Sequence, residues 1–516
     1  MRTNNSIKNI LSGISLQIIT IFLGFFSRKI FIDNIGIEIL GINGMLTSIL
    51  SMLSLLELGF GSAIYYSLYE PLAKQDTNQI KAIMDLYSKL YKFIGITVLV
   101  LGIGIMPFIN KITKTDISIA YVNTVYLIFV ADSVISYFLA YRRNILSADQ
   151  KSYVINKIST IFSVVLTLLQ ILIIVYTKNY ILYLLIKLVL AFIQNLIIYF
   201  MTNNQYPYLK EKLKEPLDKE VKDEIIKNAK ALFVVNIAVY CVFGTDNLLL
   251  STFVGVSVVG LYSNYSLLIN TINGLIGQVF GGIKASFGNF LVEKSIEEAH
   301  SIFNVLYFIN FWITTFCAIS LVTLLNPFIE IWLGKEMLFP ISVVCIIVFN
   351  FYSRSMTQAI ELVRNSAGLY SPYPFFKYWA LVEGLLNLVV SVVLAKTMKL
   401  GMYGIFLGTS ISTFITVYVL PWNVYKYVFN MSSKPYYIKH IKYTISSGLL
   451  TFITYNAASI FSINNVFTAF IIKCFICLVI PNILIVLVFK NTKEYKYLLN
   501  RFKIKDKFSK LLKITA

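Results

Sequence analysis

Long apolar runs separated by short charged connectors set the rhythm of this chain. The first, Ile7 to Gly36, holds about 25 mostly apolar residues, with an arginine inside its far end and no small-residue cleavage site behind it. It predicts a membrane-spanning helix that stays on the protein. The criterion of about 20 apolar residues then places spans at 7–31, 42–68, 93–112, 118–140, 154–176, 180–202, 231–253, 257–283, 305–325, 338–361, 375–396, 401–421, 441–461 and 465–489, about fourteen in all. The runs at 42–68 and 257–283 are long enough to tilt, or to kink at Gly59 and Gly61 or at Gly274 and Gly277.

Two connectors carry an amphipathic pattern. Asp76 and Gln79 have capping-box spacing, and Ile80, Ile83, Met84, Tyr87, Leu90 and Tyr91 follow at helical intervals. The expectation is an interfacial helix with its apolar face on the bilayer and Lys81, Lys89 and Lys92 toward headgroups. Ser295 and Glu298 repeat the cap before Ile302, Phe303 and Leu306. The tail from Lys490 is basic, with apolar clusters at Tyr495, Leu498, Leu499 and Phe502 and then at Phe508, Leu511 and Leu512, and reads as a membrane-surface anchor.

The pattern also repeats. At an offset of 219, Ile7-Lys8-Asn9 meets Ile226-Lys227-Asn228, Gly36 meets Gly255, Gly41 meets Gly260, and the Asp76 cap meets the Ser295 cap. Pro107-Phe108-Ile109 meets Pro327-Phe328-Ile329 at 220, and Arg143-Asn144 meets Arg364-Asn365 at 221. An ordered set of matches with so small a drift points to a duplicated six-helix unit. Six is even, so the copies are parallel, related by an axis along the membrane normal. The expected fold is an all-α integral membrane protein of two six-helix bundles plus two extra C-terminal helices. Its expected domains are an N-terminal lobe at 1–202, a cytoplasmic linker at 203–230, a C-terminal lobe at 231–421, the extra pair at 441–489 and a basic amphipathic tail at 490–516.

Composition agrees. Of 516 residues, 57% are hydrophobic and only 14% charged, too few charges to coat a soluble globule. The net charge of +20 falls in short segments between apolar runs, so the anionic inner leaflet is the expected partner, and nucleic acid is not. About 34 of the Lys and Arg residues lie in the N-terminus, alternate connectors and tail, and about 8 on the other side, which puts both termini in the cytoplasm. The five cysteines sit in apolar runs and the two histidines in polar connectors, so no metal centre is expected. No nucleotide-binding loop is present, and the short outer connectors leave no room for the catalytic loop of a membrane polymerase or ligase. The expectation is a transporter, not an enzyme.

A charge near the bilayer centre costs about 2.5–3.5 kcal/mol on insertion scales, so each one within a span invites a search for a partner or ligand. Arg28, Lys29, Glu57, Asp132, Lys187, Asp246, Arg354, Glu361, Glu383 and Lys473 are such charges. Lys187 can snorkel to a boundary, and Glu383 lies close enough to the inner interface to be solvated. Glu57 suits either a helix–helix hydrogen bond or a cavity and ion-coupling role. Asp132 and Arg354 fall at similar depth in the two halves, as do Arg28 and Asp246, with Asn247 the formal counterpart of Arg28. This suggests that Arg28 pairs with Asp246 to close the outer side, or holds an anionic headgroup; an intrabundle pair is the bland alternative. Asp132, Arg354 and Lys187 are the further candidates for coupling or gating.

Several stretches resemble the polysaccharide repeat-unit flippases, the Wzx-type exporters of the multidrug/oligosaccharidyl-lipid/polysaccharide superfamily. They are ILGINGMLTSILSMLSLLELGFGSAIYYSLYEPLAKQD from Ile39, YRRNILSADQKSY from Tyr141, GTDNLLLSTFVGVSVVGLYSNY from Gly244, KASFGNFLVEKS from Lys284, and RNSAGLYSPY with GIFLGTSIS from Gly404. The resemblance implies a bacterial inner-membrane protein that turns an undecaprenyl-diphosphate-linked oligosaccharide to the outer leaflet by alternating access. It also implies that spans 1, 2, 7 and 8 line the cavity, where Arg28, Glu57, Asp246 and Asn264 fall. Related lipid II flippases use cavity arginines for the diphosphate and a groove between spans 13 and 14 for the lipid tail; only Arg28 lies deep in the early spans here. No cofactor is implied, and coupling to protons, sodium or the membrane potential stays open. Expected partners are membrane lipids, glycosyltransferases and a polysaccharide polymerase. The alternative is a cation-coupled multidrug antiporter of the multidrug and toxic compound extrusion (MATE) type, which usually has twelve spans and an acidic cavity.

Overall fold

The computed structural model describes residues 2–55, 57, 67–211, 213, 216–367, 375–460 and 465–501, and these are helical, without a strand among them. In chain order the helices are α1 (Arg2–Ile35), α2 (Ile37–Leu53), α3 (Tyr69–Lys74), α4 (Thr77–Ile105), α5 (Ile109–Ile112), α6 (Ile119–Ala140), α7 (Arg143–Ala148), α8 (Ser152–Thr177), α9 (Tyr180–Gln205) and α10 (Lys219–Phe243). There follow α11 (Asp246–Phe253), α12 (Val256–Glu293), α13 (Ile296–Leu333), α14 (Ile341–Ser355), α15 (Gln358–Ser366), α16 (Phe375–Val392), α17 (Met402–Val424), α18 (Lys434–Ile460), α19 (Val466–Phe489) and α20 (Lys493–Arg501). Among the described residues, 11 helices are long and apolar enough to cross a membrane. The other three expected spans correspond to α2, whose 17 residues stop short of 58–66, and to α10 and α18, which open on charged turns. Gly59, Gly61 and the tail beyond Arg501 lie outside the described residues, and α12 runs unbroken through Gly274 and Gly277.

The repeat has local structural counterparts. Gly36 and Gly255 end one helix and begin the next with φ of 98° and 145°, a region where a Cβ is strained. Asp76 accepts from the Gln79 amide at 3.0 Å and Ser295 from the Glu298 amide at 3.2 Å, so both expected N-caps form.

The two interfacial helices do not form as separate elements. Residues 77–91 are the first turns of the 29-residue α4, and residues 296–306 open the 38-residue α13. Their apolar faces are buried in protein: Ile83 and Tyr87 are fully enclosed, as is Phe303. Lys81, expected toward headgroups, is buried and pairs with Glu211 at 2.9 Å. Periodicity marks an apolar face, but it does not say whether lipid or protein covers it.

Two compact units make up the chain, 1–263 and 264–516. In the first, α1 packs along α8, and α6 along α4 and α9. The division falls inside α12 rather than in the linker, because α11 and the first turns of α12 pack on α2 although they open the second repeat in sequence. In the second, α13 is the hub, touching α14, α18, α19 and α20, while α16 lies along α17.

Candidate transport site

Close backbone approach builds a seam within the first unit. A Cβ on Gly41 would stand 1.7 Å from the Val256 carbonyl oxygen, and one on Gly260 would stand 2.3 Å from the Ile37 carbonyl oxygen. The two glycines matched in sequence thus let α2 cross the start of α12, each at the position where only hydrogen fits. Polar groups complete the seam. The Val256 amide donates to the Lys114 carbonyl at 3.3 Å, Lys114 Nζ to the Phe253 carbonyl at 3.1 Å, and Ser251 Oγ to the Ile112 carbonyl at 2.9 Å. Farther along α2, Asn247 Nδ2 donates to Ser48 Oγ at 3.1 Å and Tyr240 Oη to the Ser48 carbonyl at 2.6 Å.

Arg28 reaches this seam from α1. Its Nη1 donates to Ser263 Oγ at 2.9 Å, and Ser263 Oγ donates in turn to the Gly260 carbonyl at 2.7 Å. The Arg28 hydrogen bond thus goes to Ser263 and not to Asp246. Asp246 is buried in the first turn of α11, where the helix N-terminus favours a carboxylate. Tyr183 lies near enough to Arg28 to act on it electrostatically, within an aromatic group in which Phe31 meets Tyr183 at 5.5 Å and Tyr180 at 5.7 Å.

Glu57 is held by a chain of hydroxyls. Tyr91 Oη donates to Glu57 Oε1 at 2.7 Å, Tyr87 Oη donates to Tyr91 Oη at 2.9 Å, and the Asn144 amide donates to Tyr87 Oη. Arg143, beside Asn144, donates to Asn195 Oδ1 at 2.7 Å. Burial holds its guanidinium below the ordinary arginine range, and the Glu57 charge opposes that shift. In the sequence the Arg-Asn pair at 143–144 stands out only as a repeat marker. Its spacing carries no sign that the two side chains reach toward a glutamate 86 positions earlier.

Four of the other charges pair within their own units. Lys187 does not merely snorkel: it meets Asp132 at 3.1 Å and lies over the Phe129 ring at 5.3 Å. Arg354 meets Glu383 at 2.9 Å, and Thr416 Oγ1 donates to the other carboxylate oxygen. Glu383 is therefore buried, its side chain 4% exposed, instead of solvated at the interface. Asn387, one turn on, donates to Thr409 Oγ1 at 3.0 Å and Ser412 Oγ at 3.1 Å, which extends a polar stripe between α16 and α17. Asn264 is fully enclosed, and neither end of its amide has a hydrogen-bond partner among the described residues.

No family model matches the sequence, and no curated protein does. Solved structures do. The lipid II flippase MurJ, in an inward closed conformation, superposes with a TM-score of 0.66 over 93% of this chain and 99% of its own, at 16% identity. The chain has the fold of MurJ and the MATE transporters. An inward-facing multidrug resistance MATE family transporter of the MOP superfamily gives 0.57 over 79% of this chain and 96% of its own, at 13% identity. A point mutant of the Vibrio cholerae MATE transporter VcmN gives 0.55 over 82% and 97%, also at 13%. At these identities the likeness to MurJ is one of fold. It gives the chain the fold of a multi-pass, two-bundle membrane protein.

Proposed function

We propose that this chain is a flippase that turns an undecaprenyl-diphosphate-linked oligosaccharide from the cytoplasmic to the outer leaflet by alternating access, for cell-surface polysaccharide synthesis. The observation that carries the reading is Arg28: a guanidinium within a membrane span, hydrogen-bonded to one neutral hydroxyl at the edge of a glycine seam. Such a group has donors left for a diphosphate. On the positive-inside reading, both termini are cytoplasmic in a bacterial inner membrane and the Gly41–Gly260 seam faces outward, so Arg28 stands where a headgroup entering from the cytoplasm would stop. Glu57 with its tyrosines, and Asp132 with Lys187, are the candidates for coupling to protons, sodium or the potential. Glycosyltransferases and a polymerase would act before and after the transfer.

The MATE-type antiporter is supported by the two MATE likenesses. The additional pair α18 and α19 and the greater coverage by the MurJ structure favour the lipid-linked cargo. A dye-efflux assay beside a flipping assay, both on the purified chain in vesicles, separates them: efflux without flipping would overturn the proposal.

A further inference from the structure

The first turns of α18 and the junction of α19 with α20 frame a groove of about 540 Å³, whose lining includes Lys434, Ile438, Lys439, Lys442, Phe489 and Glu494. Lys434, Ile438 and Lys442 recur every four residues, so they form one stripe along α18. The two lysines lie about 12 Å apart along the helix axis. Lys439 is spoken for: it pairs with Glu494 and donates to Asn304 Oδ1 at 3.0 Å. That pairing neutralises the groove's carboxylate. Among the described residues, neither the Lys434 nor the Lys442 ammonium has an ion pair or a hydrogen bond, and both side chains are exposed.

The floor is firm. Trp312 donates to Asn482 Oδ1 at 2.7 Å and stacks on Tyr495 at 6.1 Å, and Tyr443 stacks on Phe311 at 4.1 Å. Ile438 is 47% exposed between the two lysines, so the groove offers apolar surface directly beside uncompensated positive charge. The segment beyond Arg501 brings net positive charge, with five lysines and one aspartate.

We infer that this groove binds the headgroup of an anionic diacyl phospholipid, with Lys434 and Lys442 on the phosphate and its neighbouring oxygens and the acyl chains along Ile438 and Phe489. Basic pockets between helices at the cytoplasmic face recognise lipid of this charge, each lysine near the surface adding about 1 kcal/mol. The site lies wholly within the second unit, and the inference does not depend on the flippase reading.

The test is native mass spectrometry of the purified full chain with added phosphatidylglycerol or phosphatidylcholine. The wild type should retain phosphatidylglycerol about 10- to 30-fold more than phosphatidylcholine. Lys434→Ala with Lys442→Ala should remove that preference while leaving the melting temperature unchanged, and Lys434→Arg with Lys442→Arg should keep it. Undiminished phosphatidylglycerol retention in the double alanine variant would overturn the site. So would retention of undecaprenyl phosphate, and not phosphatidylglycerol, that is lost in that variant.

Discussion

In the pair of Arg354 and Glu383 the carboxylate is the buried member, so removing Arg354 takes the cation from a buried negative charge. Loss of one partner from such a pair costs about 3–5 kcal/mol, whereas replacing both by apolar groups of similar volume is often neutral. Arg354→Met should therefore lower the melting temperature of the purified protein clearly, and Arg354→Met with Glu383→Leu should restore most of it. A double variant no better than the single one would show that the pair is not the source. Arg28 behaves differently, because Ser263 Oγ keeps its bond to the Gly260 carbonyl when the guanidinium goes. Arg28→Ala should leave the melting temperature nearly unchanged and reduce flipping about 10- to 100-fold, the value of one charge-assisted hydrogen bond to the cargo of about 1.5–3 kcal/mol. Equal flipping by Arg28→Ala would remove Arg28 from the site. Tyr91→Phe removes the hydroxyl that donates to Glu57 while keeping the ring against Tyr137 at 5.9 Å. Flipping should slow in this variant while the melting temperature stays within a few degrees of the wild type; an unchanged rate would place Glu57 in a structural role.

At the scale of elements, the crossing of α2 with the start of α12 depends on two hydrogens. Gly41→Leu would drive a side chain into the Val256 carbonyl and force the seam apart. Labelling of a Ser251→Cys reporter, enclosed in the seam, should then rise when a membrane-impermeant thiol reagent is added from outside; unchanged labelling would show that this seam is not the outer closure. Much at this scale was legible in the sequence. The spans, the caps at Asp76 and Ser295, and the matched glycines 36 with 255 and 41 with 260 are local signals, and local backbone geometry answers them. The pairing of charges was not. Depth along a helix can be read from position, but a partner is chosen by rotation about the axis and by which helices adjoin. So Asp132 took Lys187 and Arg354 took Glu383, and Lys81 took Glu211 across 130 positions. The merging of the two amphipathic stretches into α4 and α13 was hidden for a related reason: an apolar face fits a membrane surface and a protein core equally well.

At the scale of the whole molecule, the proposed work of two parallel six-helix repeats with a pair of additional helices is to move a diphosphate-linked sugar outward. An anion leaving an inside-negative compartment gains about 2.3 kcal/mol per charge per 100 mV, so a diphosphate with two uncompensated charges would gain roughly 4–5 kcal/mol. An arginine that travels with the cargo would reduce the gain. The most direct measurement is flipping of a fluorescent undecaprenyl-diphosphate oligosaccharide by the purified chain in vesicles, with and without an imposed potential. Transfer to the outer-equivalent leaflet should quicken under an inside-negative potential and be suppressed in Arg28→Ala. Absence of transfer under that potential, from protein that is folded and correctly oriented, would contradict it.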